Sequence, residues 1–491
     1  MGFIARNAYI RRIPSVKIGH GMFTITMYNS STSSPMTVSS FTSSTWFGGD
    51  GEITSAIVER TSPYLDTDIK LSDTSTSSFT VQPGETVVMK VEFDGMFNFI
   101  GIINNTWRSM ATWFTFEYSG YANVPTQWMY GMFTNCTNLT GGYVDISDWE
   151  ADTIGPHFLT HTFNTCTSMQ TSPTFDTSKW HITAIPNNFM NQTFYGCTAL
   201  TTATVPETIN WRVTTIGENF MTATWQNCSA LITPVMVDST YWEVETIGAY
   251  FMSLCFADCH ALHDFLPPMT MNWEVTSFGS SFLYQTWWNC FAVPSAGSFD
   301  TNLRTSNWHV NNIPNYFMSD TFVNCTGLQT FLLYNALNFV GSSIQTIYGH
   351  FLENTFSNCS AVTAIGNSSS TSFIKNLTCT NSIGGYFFSG TFNGCVNLNI
   401  IHMLYGSNLT PTTVNSSYYL DDTWTNAFKG TGSGRSLYLY SSIWCDYPLY
   451  TNSGGLLNSH IDSVLVDSAL ITTYQASSDW SNIIDSKFVS N

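Results

Sequence analysis

One pattern recurs through the middle of this 491-residue chain: an aromatic residue, two residues, a cysteine, two residues, an apolar residue. It reads Phe133, Cys136, Leu139, then Phe163, Cys166, Met169, then Phe194, Cys197, Leu200. Trp225, Cys228, Leu231 and Phe256, Cys259, Leu262 follow, then Trp287, Cys290, Val293 and Phe322, Cys325, Leu328. Phe356, Cys359, Val362 and Phe392, Cys395, Leu398 complete the clear copies, and a tenth decays to Trp424 and Ala427. Successive cysteines are 30 to 36 residues apart. Self-similarity at such a period marks a solenoid, because one unit cannot bury its own apolar positions and must borrow its neighbours.

Further positions repeat around this kernel. A second aromatic stands five residues earlier, at Phe158, Phe189, Phe220, Phe251, Phe282, Phe317, Phe351 and Phe387. Ile-Gly or Ile-Pro precedes it at Ile154, Ile185, Ile216, Ile247 and Ile313. A tryptophan comes before that, at Trp149, Trp180, Trp211, Trp242, Trp273 and Trp308, where a buried rung position competes with an exposed ladder for glycans or a partner. The spacing of three within the kernel predicts one face of a short helix or 3₁₀ turn. Thr201–Pro206 and Ile209–Gly217 read as extended pieces.

The F-x-x-C-x-x-L kernel preceded by Ile-Gly resembles the leucine-rich repeats of BspA-type and mycoplasma-type surface proteins, over roughly 300 residues. The resemblance implies a solenoid that displays surfaces, with Tyr474, Ala476, Trp480 and Ile483 capping its last rung. The unit is longer than the family's usual low-to-mid twenties and carries an extra tryptophan.

The expected fold is mainly β with short helices. Residues 1–96 are expected to form a small all-β, sandwich-like domain and 97–125 to cap the array. About ten repeats would fill 126–430, and 431–491 would close the chain. In the first part, apolar and polar residues alternate, and Pro83-Gly84 marks a turn. Arg6, Arg11, Arg12 and Lys17 make the first 17 residues basic: a docking arm for an acidic partner surface, or an ordinary strand with solvated charges.

Only 10% of residues are charged, and the formal net charge is −18. That balance argues against nucleic acid, whose phosphates need a basic stripe. No 18-residue apolar run appears, so no membrane span is expected. The start lacks the apolar core of a signal peptide, favouring a protein kept in a cytoplasm or assembled there into a particle. Nine of the twelve cysteines fill the kernel, one per unit, and read as free buried thiols.

Cys255, Cys259, His260 and His263 have zinc-ligand residue types at close spacing. The repeat register weakens them as a metal site: Cys259 is the kernel cysteine, and Cys255 takes the place of Thr162, Thr193 and Thr224. His157 and His161 lack the glutamate of a metalloprotease motif. Asp421-Asp422 is the one adjacent acidic pair considered for glycosidase chemistry, and nothing near it recurs. No catalytic residue, cofactor or metal is assigned. The sequence-based expectation is a non-enzymatic virion component of a phage: a fibre, spike or capsid decoration. Its partners would be other virion or surface proteins, or a host-surface glycan or protein, with homo-oligomers possible. A bacterial cell-surface adhesin or surface-layer protein, located extracellularly, and a carbohydrate-active enzyme are the alternatives.

Overall fold

A computed structural model describes residues 19–41, 47–49, 52–61, 69–70, 77–95, 97–99, 105–234, 237–263, 273–292, 305–331, 337–366, 373–405, 408–409, 413–414, 436–440, 463–466, 468–476 and 488–490. It is mainly β with almost no helix, and its body is a β-solenoid. The chain opens with β1 (His20–Tyr28), β2 (Met36–Phe41), β3 (Phe47–Gly49), β4 (Glu52–Thr61) and β5 (Ile69–Lys70). It continues with β6 (Ser77–Val81), β7 (Thr86–Asp94), β8 (Phe97–Phe99), a four-residue helix α1 (Asn105–Arg108), β9 (Ala111–Tyr121) and β10 (Gly141–Glu150).

Six of these strands form one sheet in the order β10-β9-β1-β7-β4-β5. Alternation does the sorting: Phe23, Ile25 and Met27 of β1 face inward beside Val87, Met89, Val91 and Phe93 of β7. β9 pairs antiparallel with β1 but parallel with β10. The parallel pairing matters, because β10 follows the first kernel. One edge of the sheet is therefore already a turn of the solenoid.

Beyond β10 the rungs stack through two-residue parallel strands. Ala184–Ile185, Thr215–Ile216, Thr246–Ile247 and Ser277–Phe278 form one ladder. Asn312–Ile313, Thr346–Ile347, Ser382–Ile383 and Thr413–Val414 form another. The isoleucines before Gly or Pro are these strand residues, and Ile185, Ile216, Ile247 and Ile313 are buried. The glycine after them has a steric cause: a Cβ on Gly248 would lie 2.5 Å from the amide nitrogen of Glu218, one rung away.

The kernel departs from the expected short helix or 3₁₀ turn. It is a run of reverse turns in which four residues per rung have positive φ. In the second rung these are His157, Leu159, His161 and Thr165, at 64°, 55°, 56° and 62°, and the residues between them keep negative φ. Hydrogen bonds explain the choice. The N–H groups of Thr160, Thr162, Asn164 and Cys166 close turns onto carbonyls three residues back. Those of His157, His161, Phe163 and Thr165 instead donate to Asn187, Asn191, Thr193 and Tyr195 of the next rung, at 2.6–3.0 Å. A helix would spend every amide within its own rung, whereas this conformation gives half of them to the neighbour and satisfies the buried backbone. Left-handed residues with side chains cost about 1–2 kcal/mol each, and the rung-to-rung bonds offset that cost.

Three columns of side chains fill the interior. Phe133, Phe163, Phe194, Trp225, Phe256, Trp287, Phe322, Phe356 and Phe392 stack with ring centroids 5.1 to 6.5 Å apart. Trp128, Phe158, Phe189, Phe220, Phe251, Phe282, Phe317, Phe351 and Phe387 form a second stack. Trp149, Trp180, Trp211, Trp242 and Trp273 form the third, joined by Trp308 packing on Phe278 and Phe282. All six of those tryptophans are buried. The apolar kernel positions Leu139, Leu200, Leu231, Leu262, Leu328 and Leu398 are buried as well.

Candidate functional site

The kernel cysteines are the most chemically distinctive residues of the chain, and the structure uses them as hydrogen-bond donors. Each thiol from Cys166 to Cys395 points to the carbonyl of the aromatic residue one rung earlier, at 3.0–3.2 Å. Within the first rung, the Phe133 carbonyl also accepts the Cys136 amide at 3.0 Å. A threonine column does the same four positions before the cysteine of its own rung. Thr162, Thr193, Thr224, Thr286, Thr321, Thr355 and Thr391 donate to the carbonyls of left-handed residues one rung earlier, from Met129 to Leu352. Among the described residues eleven cysteines are free thiols and buried. Burial pushes the thiols of Cys136, Cys197 and Cys395 up to about 12 and raises those of Cys228, Cys259, Cys325 and Cys359 well above the ordinary value. A nucleophilic thiol needs the opposite environment.

The Cys-His stretch is divided by the wall of the solenoid. Cys255 and Cys259 are fully buried. Cys255 stands in the threonine column against Thr224, and the Cys259 thiol donates to the Trp225 carbonyl. His260 is exposed, stacked on Phe291 at 4.9 Å, and its Nε2 lies 3.8 Å from Asp258. His263 is exposed too. Among the described residues no group of three His, Cys, Asp or Glu side chains converges on a metal position. His157 and His161 both meet the Tyr130 ring edge-on. Burial, and secondarily His157, lowers the His161 pKa. Asp421-Asp422, Cys445, Trp424 and Ala427, with Trp480 and Ile483 of the closing segment, lie outside the described residues.

A surface cluster forms from residues that sequence reasoning passed over. Tyr316, His350 and Tyr386 each precede the second aromatic of their unit, and they stack at 4.3 and 4.7 Å. Tyr284 meets Tyr316 edge-on. The His350 Nδ1 lies 2.7 Å from the Glu353 carboxylate. Asp320, whose amide donates to the Glu353 carbonyl, is held by side chains of Asn354, Ser319 and Gln285. Burial raises the pKa of both Asp320 and Glu353, opposed by these hydrogen bonds and by His350. The two tyrosines stack on the His350 ring, and the cluster also carries hydroxyls and carboxylates. The detectable signal was the aromatic run Tyr-Phe at 250–251, 316–317 and 386–387.

Two surface concavities border the solenoid. One, of about 430 Å³, is lined by Thr174, Phe175, Asp176, Thr204 to Ile209 and Asp238. The other, of about 280 Å³, lies on the N-terminal sheet between His20, Glu92, Glu117, Asp145 and Asp148. No helix among the described residues is long and apolar enough to cross a membrane. No protein family, curated protein or solved structure matches the chain.

Proposed function

We propose that this chain is a non-enzymatic structural and binding protein of an assembled particle, a phage virion component such as a fibre, spike or capsid decoration. The observation that carries the reading is the continuous ladder from Phe133 to Phe392, in which aromatic rings, thiols and threonines are all committed to holding adjacent rungs together. With rungs about 4.8 Å apart, this makes a stiff rod whose work is display. The scarcity of charge, at 10% of residues, suits a surface made for permanent packing against other proteins. The order of buried positions also supports kinship with BspA-type repeat arrays, within a longer unit. The exposed edge around Tyr316, His350 and Tyr386 is the face we assign to a host-surface protein or glycan.

The test is localisation. Gold-labelled antibody against the chain, applied to purified particles, should decorate one structure at a fixed copy number per particle. Label confined to the envelope of cells that release no particles would overturn the proposal in favour of an adhesin.

A further inference from the structure

The larger concavity has an apolar floor and an acidic rim. Phe175, Val205 and Pro206 are buried along the floor, where Phe175 and Pro206 form a parallel bridge between rungs. Asp176, Glu207 and Asp238 stand on three successive rungs along the rim. Two of these carboxylates are fixed in place: Asp176 Oδ1 accepts the Ser178 amide at 3.1 Å and its hydroxyl at 2.6 Å, and Asp238 Oδ1 accepts the Thr240 amide at 2.9 Å. Both residues line the groove. Carboxylates repeated at rung spacing repel one another, so the rim favours a cationic occupant.

Most cations among the described residues are already engaged. Arg60 pairs with Glu85, Lys90 with Glu59 and Lys179 with Asp148. Arg108 is tied to backbone carbonyls, Arg212 lies over the Tyr241 ring, and Lys375 is buried. The sequence supplies the cations elsewhere. Arg6, Arg11, Arg12 and Lys17 are among the first 18 residues, and the first acidic residue of the chain is Asp50. The same 18 residues carry Phe3, Ile4, Tyr9, Ile10, Ile13, Val16 and Ile18. That combination matches an apolar floor flanked by carboxylates. Eighteen extended residues reach up to about 60 Å, enough to leave β1 and arrive at a groove on the same chain or on a neighbouring copy.

We propose that the groove lined by Phe175, Val205, Pro206, Asp176, Glu207 and Asp238 is the docking site of the chain's own basic N-terminal segment, residues 1–18. The inference does not depend on the virion reading.

Trypsin reads the docked state directly, because it cuts after Arg6, Arg11, Arg12 and Lys17 and docking withholds those bonds. Intact-mass analysis of the full chain should show slow loss of the segment. The triple variant D176N/E207Q/D238N should lose it about tenfold faster, the combined effect of three exposed ion pairs. High salt should accelerate the wild-type chain in the same direction. Cleavage at Lys179 and Arg212, within the solenoid, should be unchanged and reports that the variant is folded. Protection that rises with protein concentration assigns the groove of a neighbouring copy, and concentration-independent protection assigns the chain's own. Equal rates for wild type and variant, or a wild-type rate equal to that of a free synthetic peptide of residues 1–18, would overturn the proposal.

Discussion

Alkaline pH is the perturbation to which this interior should be most sensitive. Eleven buried cysteines are protonated in the folded chain, and burial raises the thiol pKa at every one of the nine kernel positions. An unfolded thiol titrates near pH ~8.5. Above that pH the unfolded chain binds fewer protons than the folded one, so stability must fall as pH rises. The loss per thiol is about 0.8 kcal/mol at pH 9 and about 2 kcal/mol at pH 10. Summed over the nine kernel sites in a chain that unfolds as one unit, it is roughly 8 kcal/mol at pH 9, comparable to the whole stability of a typical domain at about 5–15 kcal/mol. Urea melts in the presence of a reductant at pH 7, 8 and 9 measure it. Replacing Cys197, Cys228 and Cys259 by alanine should remove about 2.5 kcal/mol of the alkaline loss, whatever it does to stability at pH 7. Stability that is flat from pH 7 to 9, or kernel thiols that react with a disulfide reagent in the native protein, would refute the reasoning.

Arg108 should be a stability determinant out of proportion to its place in a four-residue helix. Its guanidinium donates to the carbonyls of Thr134 and Gly131 at 2.5 and 3.3 Å, the bonds that a preceding rung would supply. One rung later the equivalent carbonyls, of Asn164 and His161, accept the Asn135 amide and the Thr134 hydroxyl. Arg108→Met should therefore cost about 2–3 kcal/mol, with hydrogen exchange accelerating first around residues 128–140. Thr193→Val removes the donor to the Leu159 carbonyl while that carbonyl keeps the Thr162 amide, so the melt should register a loss of about 1 kcal/mol. Burial lowers the pKa of His402 to about 4. The unfolded histidine binds a proton near ~6.5, so stability should decline by about 3 kcal/mol as pH falls from 6.5 to 4, and His402→Leu should flatten that limb of the pH profile.

The repeat and its buried positions were legible because burial repeats at a fixed period, whatever the backbone does between the rings. The conformation of the kernel was not read, although the signals stood in the sequence. The residue before each kernel cysteine is Asn135, Thr165, Gly196, Asn227, Asp258, Asn289, Asn324, Asn358 or Gly394, and all nine have positive φ. Asn, Asp and Gly are the residues that enter the left-handed region most readily. A second left-handed column, Met129, Leu159, Met190, Met221, Met252, Leu283, Met318 and Leu352, contains no β-branched residue. A period of three suits a helix and a string of reverse turns equally well, and only these columns separate the two. Arg108 was hidden for another reason: its partners are carbonyls, which leave no trace in side-chain identity. The Cys-His stretch resembles a metal site in composition alone, since the register that sends Cys255 and Cys259 inward turns His260 out.

The handedness of the kernel can be measured at Asn227, whose φ is 63° and whose amide donates to the Ala257 carbonyl at 2.8 Å. The measurement is the stability of Asn227→Gly relative to Asn227→Ala in urea melts at pH 7. A left-handed rung predicts the glycine variant to be the more stable by about 1 kcal/mol. A helical kernel would reverse the order by a similar amount, and that result would contradict the account.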